Sequence, residues 1–265
     1  MPLTAEQLLL DTFRYRLGGT RPVLEVERFE ADLYRSNHAL MKAALLEAQS
    51  IAARLGPAKD VRAAVLALYD TRLAEIAQMF PVFFVFESAY RAFTAARLTA
   101  VYGDDLWWDP VRQALLAKSD PQSVPALGGR PAKRDVIDAL SHLLKGLKDP
   151  GMRQLRGTYD LLEAGTLTHV GRLISSHWTD IEPVFSQSGP LPLTSANFSD
   201  QFNKVRNARN DAYHHRLIRD RVKVAAIVER LLDLLDVHLG DRLDRLAKVQ
   251  VAGLPVHVPQ VPRHG

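Results

Sequence analysis

The chain has no cysteine among its 265 residues. This excludes disulfides, thiolate metal sites and a cysteine nucleophile, and it fits a reducing compartment. Long apolar runs are also missing: no stretch near 18 residues escapes charge, and the start MPLTAEQLLLDTF lacks the basic and apolar regions of a secretion signal, so the expectation is a cytoplasmic protein with no membrane partner. There is no His-Glu-x-x-His, no Walker loop, no Gly-x-Gly-x-x-Gly after a strand and no Gly-x-Ser-x-Gly elbow, which sets aside the chemistries those motifs carry. The histidines His38, His142, His169, His177 and His238 fall on separate segments without metal-ligand spacing. Each reads as a surface or satisfied core residue, and no metal or cofactor is expected.

What the chain does have is helical periodicity almost throughout, without two-residue alternation bounded by hairpin turns, so the fold class is all-α. With 47% hydrophobic residues it can bury a full core. Expected helices run over 3–17 (stopped by Gly18-Gly19), 24–55 (stopped by Gly56-Pro57) and 60–79, followed by an apolar helix from Pro81 to Gly103. Its aromatics Phe80, Phe83, Phe84 and Phe86 read as core. The stretch SDPQSVPALGGR within 118–130, rich in Pro, Gly and Ser, is the expected joint between an N-terminal subdomain (1–118) and a second one (131–248) packed on 60–103. The glycine pair Gly128-Gly129 lacks the spacing of a phosphate cradle. Helices then follow at 133–147, 152–162, 167–176 and 180–185. Ser199 is the expected N-cap of the next helix, with Asp200 in its first turn. A last helix spans 221–246, and 249–265 form an extended, proline-limited tail.

Charge is concentrated. Between Phe202 and Lys223 stand seven cations, including Lys204, Arg206, Arg209, Arg216 and Arg219, against the two anions Asp211 and Asp220, while the whole chain carries only +4. On a helical wheel Phe202, Val205, Ala208 and Ala212 share an apolar arc, and Arg206, Asn210 and His214 follow at i, i+4, i+8 as a polar stripe. Arg209 falls between Phe202 and Val205, so its guanidinium needs a carboxylate or phosphate. Glu87, in the apolar segment PVFFVFESAYR, can pair with Arg209 or with Arg91 at i+4, and in either case the two helices pack together. Arg209, Asn210 and His214 offer a permanent cation, an amide and a group that titrates near neutrality, the set that phosphodiester chemistry requires.

These residues resemble the Abi-like (abortive infection) proteins of the HEPN superfamily. The family pattern Arg-Asn-x-x-Ala-His-His is met by Arg209-Asn210-Asp211-Ala212-Tyr213-His214-His215. Upstream, Leu68-Tyr69-Asp70-Thr71-Arg72-Leu73 is similar to a Leu-Tyr-x-x-Asp-x-x-Leu helix, with Asp70 one residue early. Glu87-Ser88-Ala89-Tyr90-Arg91, Tyr102-Gly103 and Trp107-Trp108 match a Glu-x-x-x-Arg helix that ends in Tyr-Gly and aromatics, and Leu162–Leu167 resembles a Phe-Gly-x-Leu region. The chain departs from the pattern at Tyr213, which replaces a small residue, and at Arg216, which arrives early. Tyr213 either narrows the site or offers a stacking surface for a base.

The resemblance implies a HEPN-like helical bundle with an added N-terminal helical region. It also implies a metal-independent endoribonuclease of a phage-defence or toxin-type system, with Arg209, Asn210 and His214 catalytic. Lys204, Arg206, Tyr213, His215, Arg216 and Arg219 would contact RNA, with Glu87 and Arg91 in support. One histidine per helix points to a homodimer with facing motif helices, and an antitoxin-like or defence-system partner fits the basic patch. The same residues are compatible with an inactive RNA- or nucleotide-binding module, or with a helical scaffold.

Overall fold

The computed structural model describes residues 4–17, 22–56, 58–185 and 193–248. The tail 249–265, the Gly18-Gly19 stop, Pro57 and the segment 186–192 between the helix expected at 180–185 and the motif helix lie outside the described residues. The fold is all-α, and the described residues include one short two-stranded hairpin. No described helix is long and apolar enough to cross a membrane. The chain divides into two compact units: 1–80 with 207–221, and 81–206 with 222–265. The 118–130 stretch expected as a joint therefore lies inside the second unit.

The first unit contains α1 (Ala5–Tyr15), α2 (Val23–Leu33), α3 (His38–Leu55) and α4 (Val61–Ala77). Thr4 and Gln7 close a reciprocal capping box on α1, satisfying donors that helix geometry leaves open. The single helix expected over 24–55 is instead two. Asn37 breaks it: its Oδ1 accepts the Ala39 and Leu40 N–H groups at 3.0 and 3.1 Å, and its own N–H donates to the Tyr69 hydroxyl at 3.0 Å. An apolar stripe that continues in phase across a capped break hides the break from periodicity. Phe13 stacks on Phe29 with centroids 4.0 Å apart, inside a core that also holds Leu33, Met41, Leu45 and Val65. On the rim, Arg62 makes a two-pronged contact with Asp32 at 2.7 and 3.0 Å, and Arg72 bridges Glu47 and Glu75 at 2.5 and 2.8 Å.

The second unit is built on most of α5 (Met79–Tyr102), followed by α6 (Asp109–Leu116) and a hairpin of β1 (Ala126–Leu127) and β2 (Arg130–Pro131). Gly128 and Gly129 turn that hairpin at φ +50° and +76°, a left-handed conformation for which glycine pays little steric cost. Then come α7 (Arg134–Lys145), α8 (Asp149–Gln154), α9 (Thr158–Ala164), α10 (Leu167–Ser176) and α11 (Trp178–Phe185), followed by α12 (Ser195–Tyr213), α13 (Arg221–Asp233) and α14 (Leu239–Lys248). Two further expectations of continuous helices fail. The 152–162 segment is split around Arg156-Gly157, where Gly157 lets Asp105 approach: a Cβ there would lie 2.2 Å from its Oδ2. The 221–246 segment is split at Leu235–His238, where Asp236 adopts φ +55°.

The aromatics of α5 and α12 form the centre of this core. Phe86 and Tyr90 meet Phe202 at 5.3 Å each, Tyr90 reaches Phe198 at 6.0 Å, and the Tyr90 hydroxyl donates to the Leu231 carbonyl at 2.8 Å. The expected packing of the Glu87 helix on the motif helix is thus present. Phe83 and Phe86 are core as expected, but Phe84 is 60% exposed and lines a groove with Leu235 and Leu246. Tyr102 stacks on Trp107 at 4.2 Å, and its hydroxyl meets Nε2 of buried His177 at 2.8 Å.

Candidate functional site

The motif helix α12 begins at Ser195, one turn before the expected Ser199 cap, and the Thr194 Oγ1 accepts the Asn197 N–H at 3.2 Å. Ser199 is already inside the helix. The apolar arc is as the wheel requires: Phe202, Val205, Ala208 and Ala212 are all buried, and burying that arc turns the polar stripe outward.

The regular helix stops at Tyr213, but the His214 N–H still donates to the Asn210 carbonyl at 3.0 Å. His214 therefore stands one helical turn beyond Asn210, and both side chains are exposed. His215 then takes φ +52°, and the Arg216 N–H returns to the Asp211 carbonyl at 2.7 Å, which closes the helix end. This turn takes His215 off the helical screw that carries His214. Arg216 and Arg219 are exposed on the following loop, which Ile218 anchors in the core, and Arg221 pairs with Glu75 at 2.6 Å.

Arg209 corrects the wheel. It is half-buried rather than fully core-facing, with its guanidinium 3.9 Å above the Tyr213 ring and Nη1 3.4 Å from Asn210 Oδ1. A guanidinium is weakly hydrated and stacks well on an aromatic face, so the phenol takes part of the role expected of an anion. Tyr213 also meets Phe80 edge-on at 5.2 Å. One face of Tyr213 is thus covered by Arg209, which limits its use as a platform for a base.

The structure brings Arg209, Asn210, Tyr213 and His214 together at one helix end. Lys204 and Arg206 belong to the second unit. There Lys204 pairs with Asp200 at 2.6 Å, and Arg206 lines a cleft with α7 and α10. Glu87 and Arg91 are likewise in the second unit and pair at 2.6 Å. Arg91 is 6% exposed; it also donates to the Leu162 carbonyl and, at 2.9 Å, to the Gly165 carbonyl, so the pair ties α5 to the end of α9.

Sequence reasoning missed the association of His142 with His169. Their Nδ1 and Nε2 atoms lie 2.8 Å apart, and His169 Nδ1 accepts the Thr166 N–H at 3.0 Å in the capping box of α10. Burial first, then the nearby His142 and Arg172, lowers the His169 pKa below its ordinary value. The legible signal was Thr166-x-x-His169, a cap pattern at the start of an apolar stripe. Among the described residues, no three His, Asp or Glu side chains converge in a way that would hold a metal ion. Comparisons with family models, curated proteins and solved structures find no match to this chain.

Proposed function

We propose that the chain is a metal-independent endoribonuclease of the abortive-infection or toxin type, acting in the cytoplasm at the end of α12. One observation carries this reading: an exposed imidazole, His214, stands one helical turn beyond Asn210, whose amide oxygen lies 3.4 Å from the Arg209 guanidinium. In the reaction the RNA 2′-hydroxyl attacks the adjacent phosphorus as a neutral imidazole takes its proton. The bond to the 5′-oxygen breaks, and that oxygen receives a proton from an imidazolium. The products are a 2′,3′-cyclic phosphate and a 5′-hydroxyl, so atoms and protons balance. Arg209 neutralises charge on the phosphorane oxygens, Asn210 orients the phosphate or the ring, and Arg216 and Arg219 hold flanking phosphates. Because each helix carries one histidine at the motif position, His214 of a second copy supplies the complementary acid or base.

The test is cleavage of a mixed single-stranded and structured RNA pool in excess EDTA by wild type and by His214→Gln, with product ends mapped. Wild type alone should yield cyclic phosphate ends. A second reading, an RNA grip without cleavage, draws on the position of the Arg209 guanidinium, stacked 3.9 Å above the Tyr213 ring. Equal RNA retention by both proteins with no cleavage by either would establish that reading instead.

A further inference from the structure

The second unit holds a cleft of about 840 Å³ floored by Ala139, Gly171, Phe198 and Phe202, within the range of about 300–1,000 Å³ common for small-molecule sites. Three helices line it, and their directions follow from contacts at each end. His142 near the end of α7 meets His169 near the start of α10, and Asp135 at the start of α7 lies close enough to His177, just past α10, to act on its charge, while Gly171 abuts Phe202 and Ser175 meets Ser199 at 3.2 Å along α10 and α12. Each neighbouring pair therefore runs antiparallel, which places Lys145, His142, Thr168 and Arg206 at one end with Arg172 between the helices. Asp135, Asp138, Ser175 and Ser199 stand at the other. Ten residues of α7 separate Asp135 from Lys145, about 15 Å at the helical rise. The cleft is thus polarised, with cations at one end and carboxylates with hydroxyls at the other.

The histidine pair fixes the direction of a hydrogen-bond chain. A backbone N–H can only donate, so His169 Nδ1, which receives it from Thr166, carries no proton, and the ring proton sits on Nε2. That N–H donates to His142 Nδ1, which leaves His142 with its proton on Nε2. His142 lines the cleft, and the one ring proton it can offer there is that on Nε2. Among the described residues, no carboxylate pairs with Lys145 or Arg172 within salt-bridge distance.

We infer that this cleft binds a free nucleotide, its terminal phosphate held by Lys145, Arg172 and the His142 N–H, and its base or ribose donors held by Asp135 and Asp138. The site is separate from the motif at the end of α12 and stands whether or not that motif cleaves RNA. Carboxylates accept from exocyclic amines and hydroxyls, while guanidinium, ammonium and imidazole donors match phosphate oxygens. Phe198 and Phe202 supply the apolar floor on which a base rests.

The experiment is calorimetric titration of the purified full chain with AMP, ADP, adenosine and the phosphodiester dinucleotide adenylyl-adenosine. AMP and ADP should bind, with adenosine and the dinucleotide weaker by about tenfold or more, and Arg172→Gln or His142→Ala should weaken AMP by a similar factor. Circular dichroism establishes that each variant is folded. Nitrogen-15 imidazole spectra should show both rings protonated on Nε2, with His142 Nε2 shifting on addition of AMP. Absence of AMP binding at millimolar concentration by the folded protein overturns the proposal, as does AMP binding unaltered in both variants. Equal affinity for adenosine removes the phosphate end. Equal affinity for the dinucleotide reassigns the cleft to RNA backbone and overturns the free-nucleotide assignment.

Discussion

Arg91 shows how one side chain can hold several otherwise costly groups. Its guanidinium satisfies Glu87 and the carbonyls of Leu162 and Gly165, all against the interior of the second unit. Arg91→Leu should cost about 3–5 kcal/mol in urea denaturation, because it takes a nearly buried guanidinium away from Glu87 and from the Leu162 and Gly165 carbonyls. Adding Glu87→Gln should recover part of that loss. His177 makes a second case. Its Nδ1–H donates to the Leu173 carbonyl at 2.8 Å and its Nε2 accepts the Tyr102 O–H, so the folded protein holds the ring neutral. Burial, the dominant cause, lowers its pKa, and burial pushes Tyr102 up to about 12. His169 is shifted in the same direction. Well above pH 6.5, the ordinary value, both histidines are neutral in the folded and the unfolded chain. As pH falls below 6.5 the unfolded chain binds protons first, so stability present above that pH is lost progressively until the lower folded pKa values are passed. The denaturation midpoint should therefore drop between pH 7.5 and 5.5, and His177→Gln should show a shallower drop from a lower starting stability.

Helix ends decided where the sequence could be read and where it could not. Asn37→Ala should cost about 1 kcal/mol, measured by thermal or urea unfolding, since two N–H groups at the start of α3 lose their acceptor. The all-α class, the extent of α10 and the burial of Phe202, Val205, Ala208 and Ala212 were legible because apolar spacing responds directly to burial. The breaks at Asn37, around Gly157 and at Asp236 were not, since a turn of a few residues leaves the stripe in phase. At the motif, the Arg209, Asn210 and His214 spacing was legible, but the placement of Arg209 over Tyr213 was not, because a wheel assigns angles and says nothing of how far a long side chain reaches. His142 and His169 stand 27 positions apart and meet only through the antiparallel packing of α7 and α10, which no local pattern encodes.

On the scale of the whole chain, the net charge of +4 is too small to govern association, whereas the basic run is local enough to do so. If Arg209, Arg216 and Arg219 contact three phosphates of single-stranded RNA, log binding constant against log salt should fall with a slope of roughly −2, and Arg219→Gln should reduce the slope by about 0.7. Filter binding across a salt series reads this directly. Sedimentation should show a dimer, as paired His214 residues require, and a purely monomeric species with full cleavage would refute the two-copy mechanism. The order of synthesis adds a constraint of its own. The first unit is discontinuous: its opening 80 residues are joined by 207–221, the segment that carries Arg209, Asn210 and His214. At ribosomal speeds of about 5–20 residues per second, the roughly 140 residues between Phe80 and Arg221 take about 7–30 s to make. The α1–α4 core therefore waits on the ribosome for its last piece until most of the second unit has been translated. A nascent chain that stalls or is cut before that point lacks Arg209, Asn210 and His214, so the segment that completes the first unit and the segment that carries the motif arrive together and late.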